Sequence, residues 1–205
     1  MGFSQILARV LSSLLIVLKR SLMLLVSPYR TMRAISEDTD LLQPLIISIG
    51  IGIYFFFADS IRGYTYQPFV LFSLAIMQFV GTSLFFFILQ RLYAPHTKTR
   101  LSSYFILFGY ALIPTLLWFL VNSVLFALIP PPRTPSLSGK GFSMVYLSFT
   151  VAVFLWKLMV MYLAIRFATR FQFFRIMYST LLYLVLVIPY SYLMYLFGFF
   201  RIPFL

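Results

Sequence analysis

Five apolar runs dominate the chain and leave it little freedom of fold: Leu41–Ala58, Pro68–Leu89, Tyr104–Ile129, Met144–Ile165 and Ile176–Phe199. A helix needs about twenty such residues to cross about 30 Å of hydrocarbon. The runs are continuous in hydrophobicity, whereas barrel strands alternate over about ten residues. The predicted fold class is therefore all-α, a bundle of five transmembrane helices. Composition agrees. Hydrophobic residues make up 62% and charged residues 10% of the 205, against about 45–50% and about 25% in a soluble domain. Intrinsic disorder needs low hydrophobicity and is excluded.

Sixteen Lys and Arg face four Asp and Glu, a formal charge of +12. On a soluble chain this would suggest nucleic acid. Here basic residues mark cytoplasmic connectors, and no nucleic-acid partner is expected. Arg9, Lys19, Arg20, Arg30, Arg33, Arg91, Lys98, Arg100, Arg166, Arg170 and Arg175 fall on one side of the five-span arrangement. Only Arg62, Arg133, Lys140 and Arg201 fall on the other. The expectation is an N-terminus in the cytoplasm and a C-terminus outside. Tyr64, Tyr66, Tyr93, Tyr104, Tyr178 and Tyr195 lie near span boundaries, where an aromatic belt belongs. The stretch Pro130-Pro131-Pro132-Arg133-Thr134-Pro135 reads as a stiff, extended outer connector.

Residues 1–40 read as a separate cytoplasmic or interfacial region. Met1–Leu18 fails as a signal peptide, because Arg9 interrupts the apolar core and Lys19-Arg20 follows it. Ile6 stands where a myristoylation signal needs Ser or Thr. Phe3, Ile6, Leu7, Val10, Leu11, Leu14, Leu15, Leu18 and Leu22 share one helical side, with Gln5, Arg9, Ser12, Ser13, Lys19 and Arg20 largely on the other. That pattern describes a helix lying in the membrane interface, its basic face on lipid headgroups. Spanning would place Arg9 or Lys19 in or near hydrocarbon. Ser27 and Pro28 read as cap and first residue of a short helix, with Arg33 and Glu37 spaced to pair. Three of the four acids, Glu37, Asp38 and Asp40, lie together after it.

Lys157, inside the fourth run, is the strongest single signal. An intramembrane Lys costs about 2.5–3.5 kcal/mol and is a functional hypothesis by default. Snorkelling to the cytoplasmic boundary is the competing reading. Its expected partner is backbone near Pro114, because a proline there leaves the Tyr110 carbonyl without its helical donor. Lys157, Tyr110 and Pro114 thus form the candidate intramembrane polar site. Pro114 and Pro189 can each interrupt a span, as in transporters or as ordinary kinks. Ser48 and Gly52 make a small-xxx-small pair suited to close helix packing. Arg9, Lys19, Arg20, Arg166, Arg170 and Arg175 are candidate contacts for anionic lipid headgroups; Arg166 and Arg170, four apart, would share a face of the fourth helix.

Catalysis has little material. There are no cysteines, and His96 is the sole histidine, with no acidic neighbour. No Walker or dinucleotide loop appears, and nothing fixes a serine beside Lys157 for a Ser–Lys dyad. Neither metal nor cofactor is expected, and the chain reads as a non-enzyme.

Phe108-Gly109-Tyr110-Ala111-Leu112-Ile113-Pro114 opens the third run after a polar, basic connector, and Ser27-Pro28-Tyr29-Arg30-Thr31-Met32-Arg33 precedes the first. With five spans in this order, the chain resembles the Yip-domain family of Ypt/Rab-interacting membrane proteins from Ser27 onward. Gly109, Tyr110 and Pro114 match that family's Gly-Tyr-…-Pro element. The Asp-Leu-Tyr-Gly-Pro-like element of eukaryotic members has no counterpart here, so Rab binding and vesicle traffic are not implied. The resemblance implies a bacterial-type, polytopic inner-membrane protein. The leading functional expectation is a scaffold or assembly factor for other integral membrane proteins, such as subunits of an ABC-type transporter in the envelope. The alternative is a transporter or lipid-handling protein with a polar cavity around Lys157, Tyr110 and Pro114.

Overall fold

A computed structural model describes residues 3–62, 66–94, 99–128 and 137–199. The readings of Tyr64, His96, Lys98, residues 130–135 and Arg201 fall outside them. The described residues form helices α1 (Phe3–Val26), α2 (Pro28–Ser36), α3 (Leu42–Arg62), α4 (Pro68–Tyr93), α5 (Leu101–Tyr110), α6 (Ile113–Leu128), α7 (Leu137–Thr169) and α8 (Phe173–Leu196). Five helical stretches are long and apolar enough to cross a membrane: Leu42–Ile61, Pro68–Tyr93, Leu101–Leu128, Gly139–Thr169 and Phe173–Leu196. These are the five expected runs, with ends moved by a few residues. The helices of the second and fourth reach well past their apolar runs, to Tyr93 and Thr169. At 33 residues α7 is about 50 Å long, more than the hydrocarbon it would have to cross.

The third span departs from the expected single helix. It breaks at Ala111-Leu112 into α5 and α6. Pro114 has no N–H to give Tyr110, and its ring crowds the preceding turn. The chain responds by tightening, with the Leu112 amide bonding the Gly109 carbonyl at 3.1 Å. Pro189, by contrast, sits inside an unbroken α8.

Bulky side chains on α5 build the core. Tyr104, Ile106, Leu107, Phe108, Gly109 and Tyr110 are all buried. Phe108 stacks on Phe86 of α4, centroids 5.3 Å apart, and Tyr183 of α8 closes on the same ring at 5.2 Å. Gly109 is needed here. A methyl group on it would lie 2.9 Å from Cβ and 3.3 Å from Cα of Pro44, so only glycine lets α5 cross the start of α3 this closely. The expected small pair on α3 divides its work. Gly52 receives the Phe72 ring of α4, 3.2 Å from where a Cβ would stand. Ser48 turns its hydroxyl back to the Pro44 carbonyl at 2.8 Å.

Three local expectations give way to different bonding. Ser27 makes no capping bond to α2. Arg9 pairs with Asp40 and Arg20 with Asp38, while Arg33 and Glu37 are not joined. Arg170 does not share a helical face with Arg166. It lies just past the end of α7 with φ 59°, in the left-handed cap position. Its N–H bonds the Arg166 carbonyl at 2.9 Å.

Candidate functional site

The helix α1 turns a line of residues at helical spacing inward: Ser13, Val17 and Leu24 are buried and Arg20 is half-buried. Its opposite side, Ile6, Leu7, Val10, Leu11, Leu14, Leu15, Leu18 and Leu22, points away from the protein. The amphipathic pattern is therefore realised with the polar side serving two masters. Arg9 and Lys19 are exposed. Arg20, expected at lipid headgroups, is instead drawn into the protein.

The reason is a polar joint built from the short acidic turn. The Arg20 Nη1 donates to Asp38 Oδ2 at 2.6 Å and to Gln43 Oε1 at 2.7 Å. Gln43 Nε2 donates to the same Asp38 oxygen at 2.8 Å. The Tyr110 hydroxyl donates to Gln43 Oε1 at 2.7 Å. The other Asp38 oxygen accepts the backbone amides of Thr39 and Asp40. One residue pair further, Asp40 accepts the Ser13 hydroxyl at 2.6 Å, and Arg9 stands 3.8 Å from it. Gln43 and Tyr110 are almost wholly buried, at 1% and 0% exposure. Burial opposes the Asp38 charge, but the hydrogen bonds from Gln43, Arg20 and the two amides outweigh it and hold its carboxyl down to about 2. The joint ties α1, α3 and α5 together. Trp156 of α7 adds a fourth element, its indole N–H reaching the Leu24 carbonyl at 3.3 Å.

Of the expected intramembrane site, Tyr110 thus belongs to the joint, and its hydroxyl is spent on Gln43. Pro114 is buried at the start of α6. Lys157 is half-buried and has no hydrogen-bond or ion-pair partner among the described residues. Gln43, the hub of the joint, escaped sequence reading. A glutamine at the very start of an apolar run looks like ordinary interfacial polarity.

A second set of polar groups lines the contact of α6 with α7. Trp118 Nε1 meets Thr150 Oγ1 at 3.4 Å, and the Tyr146 hydroxyl donates to Asn122 Oδ1 at 2.6 Å. On the other face of α6, Ser123 bonds the Tyr54 hydroxyl at 3.3 Å and Phe119 stacks on Tyr54 at 4.9 Å. Near the basic end, Arg166 and Arg175 are exposed. The Arg166 guanidinium lies 5.9 Å from the centre of the Tyr29 ring of α2, which also packs on Phe167. Among the described residues no cluster of His, Asp and Glu could hold a metal ion.

No protein-family description, no characterised protein and no solved structure matches the chain.

Proposed function

We propose that the protein is a non-enzymatic membrane scaffold or assembly factor that binds other integral membrane proteins through its outward apolar helix faces. The observation that carries this reading is the joint of Arg20, Asp38, Gln43 and Tyr110. It is packed and internally bonded, and it spends its polar groups on holding helices together. Such a joint fixes α1 on the bundle with its leucine side free, which suits a binding platform. The broad exposed faces of α7 (Val151, Leu155) and α8 (Val185, Leu186) supply the apolar surface for a partner helix.

In this proposal the basic end faces the cytoplasm of a bacterial inner membrane, and the C-terminus lies outside. Arg9, Lys19, Arg166, Arg170 and Arg175 then sit where anionic headgroups attract them, at about 1 kcal/mol each. The Yip-domain resemblance supports the span order. An ABC-type transporter in the envelope is the kind of partner the proposal has in view.

Photo-crosslinkers placed at Leu155 and Val185 in native membranes test the scaffold reading. Discrete protein adducts at one of these positions are expected. Adducts to lipid alone at both would overturn it.

A further inference from the structure

The contacts between α6 and α7 run antiparallel, Trp118 with Thr150 and Asn122 with Tyr146. Tyr146, Thr150 and Lys157 are spaced to lie on one face of α7. Continued residue for residue, this register brings Lys157 level with Ala111, in the break between α5 and α6. Three polar groups along this line lack partners. Nδ2 of Asn122 is buried and unbonded. So is the hydroxyl of Thr115. Lys157 offers three donors to nothing among the described residues.

Thr115 explains itself through the break. Thr31, Thr82, Thr150, Thr169 and Thr180 all return their hydroxyls to the carbonyl four residues earlier. For Thr115 that residue is Ala111, where the helix is broken, and the bond is absent. Pro114 meanwhile deprives the Tyr110 carbonyl of its helical donor. The Thr115 hydroxyl and the Tyr110 carbonyl thus both lose their usual helical bonds at the break. Buried polar groups without partners are costly, and ordered water is what ordinarily satisfies them.

We propose that the α6–α7 seam is a hydrated path, entered from the Asn122–Tyr146 end, that brings water and small anionic solutes to Lys157. The ammonium has no carboxylate beside it among the described residues. An anion arriving with water is the partner that balances it. This path goes beyond the scaffold reading and stands or falls without it.

The chain contains no cysteine, so a single introduced thiol is the sole target. Thr115→Cys and Asn122→Cys in sealed vesicles should react with membrane-impermeant thiosulfonates applied from the face opposite the basic connectors. Val151→Cys and Leu155→Cys, on the outward face of α7, should not. Removing the charge with Lys157→Leu should lower the ratio of anionic to cationic reagent rates at Thr115→Cys by about fivefold. Should Thr115→Cys fail to accumulate, Thr150→Cys carries the same expectations. Seam cysteines that resist impermeant reagents from both faces, yet react after denaturation, would overturn the path, as would equal labelling of the Val151 and Leu155 controls. A labelled seam whose rate ratio ignores Lys157 would overturn the anion's assignment to that residue.

Discussion

At Gly109 a single hydrogen atom decides how closely two helices cross. Adding a methyl group would press on the backbone and ring of Pro44, neither of which can rotate away. Gly109→Ala should therefore destabilise the protein by about 1–3 kcal/mol, the usual cost of overpacking. Gly81→Ala is the matched control, since nothing lies within 4 Å of the new methyl, and helix propensity should make it stabilising by up to about 1 kcal/mol. Thermal unfolding in one detergent should place the two variants on opposite sides of the parent. One position away, Tyr110→Phe removes one donor from Gln43, which keeps its bond from Arg20. A loss of about 1 kcal/mol follows. Gln43→Leu also strips a donor from Asp38 and an acceptor from Arg20 and Tyr110. It should cost about 2–4 kcal/mol by leaving buried groups unpaired. Equal losses in the two variants would show that the joint is not shared in this way.

The element most exposed to change is α1, because its docking rests on one narrow line, the buried Val17 and Leu24 with the polar contacts of Ser13 and Arg20, while much of its leucine side is exposed. Asp38 gives that docking a pH signature. Its carboxyl is held at about 2 in the folded protein, below the ordinary value near 3.9. A lowered carboxylate contributes stability that is fully present above the ordinary value and is lost as pH falls through the folded one. The docked state should hold from neutral pH to about pH 4 and weaken between about 4 and 2. Because Asp38 is partly solvated, the contribution is about 1 kcal/mol after screening. Spin labels at the exposed Leu15 and Leu45 should report a broader distance distribution in that window. Asp38→Asn should show the broader distribution already at neutral pH, with little further change on acidification. An acid response unaltered in this variant would assign it to another group.

For the whole molecule the decisive quantity is orientation. Eleven basic residues against four on the two sides of the spans set the expectation of a cytoplasmic N-terminus. A reporter active only outside the cytoplasm should work when fused after Phe199 and stay silent when fused at Lys98. The reverse pattern would turn the molecule over and move the joint to the outer side. Packing in the bundle is consistent with an odd span count. Tyr66, between the first two spans, bonds the Phe197 carbonyl at 2.7 Å and stacks on Phe199, so the end of α8 shares one end of the bundle with the α3–α4 connection. Gly198 makes the close possible with φ 76°, which lets the chain turn back at the end of α8.

Fold class was legible in the chain because bilayer thickness is a length, and length is written directly into apolar runs. The five spans and the two-sided α1 follow from period and count. The break in the third span was half-legible, since Pro114 announces a lost hydrogen bond but not whether the helix will kink or part. Partnership was not legible. Arg20 and Lys19 are neighbours in sequence with the same charge, yet one is bonded into the joint and the other faces outward, because a helix separates adjacent residues by about 100°. Tyr110 is linked to Lys157 in the sequence through its backbone carbonyl, which Pro114 leaves without a helical donor. That its hydroxyl bonds Gln43, 67 positions away in the chain, is not readable there, because only the crossing at Gly109 and Pro44 brings the two near. Depth and face are properties of one helix and can be read from its sequence. Which two faces meet depends on shape complementarity between helices, and that was decided only in the packed bundle.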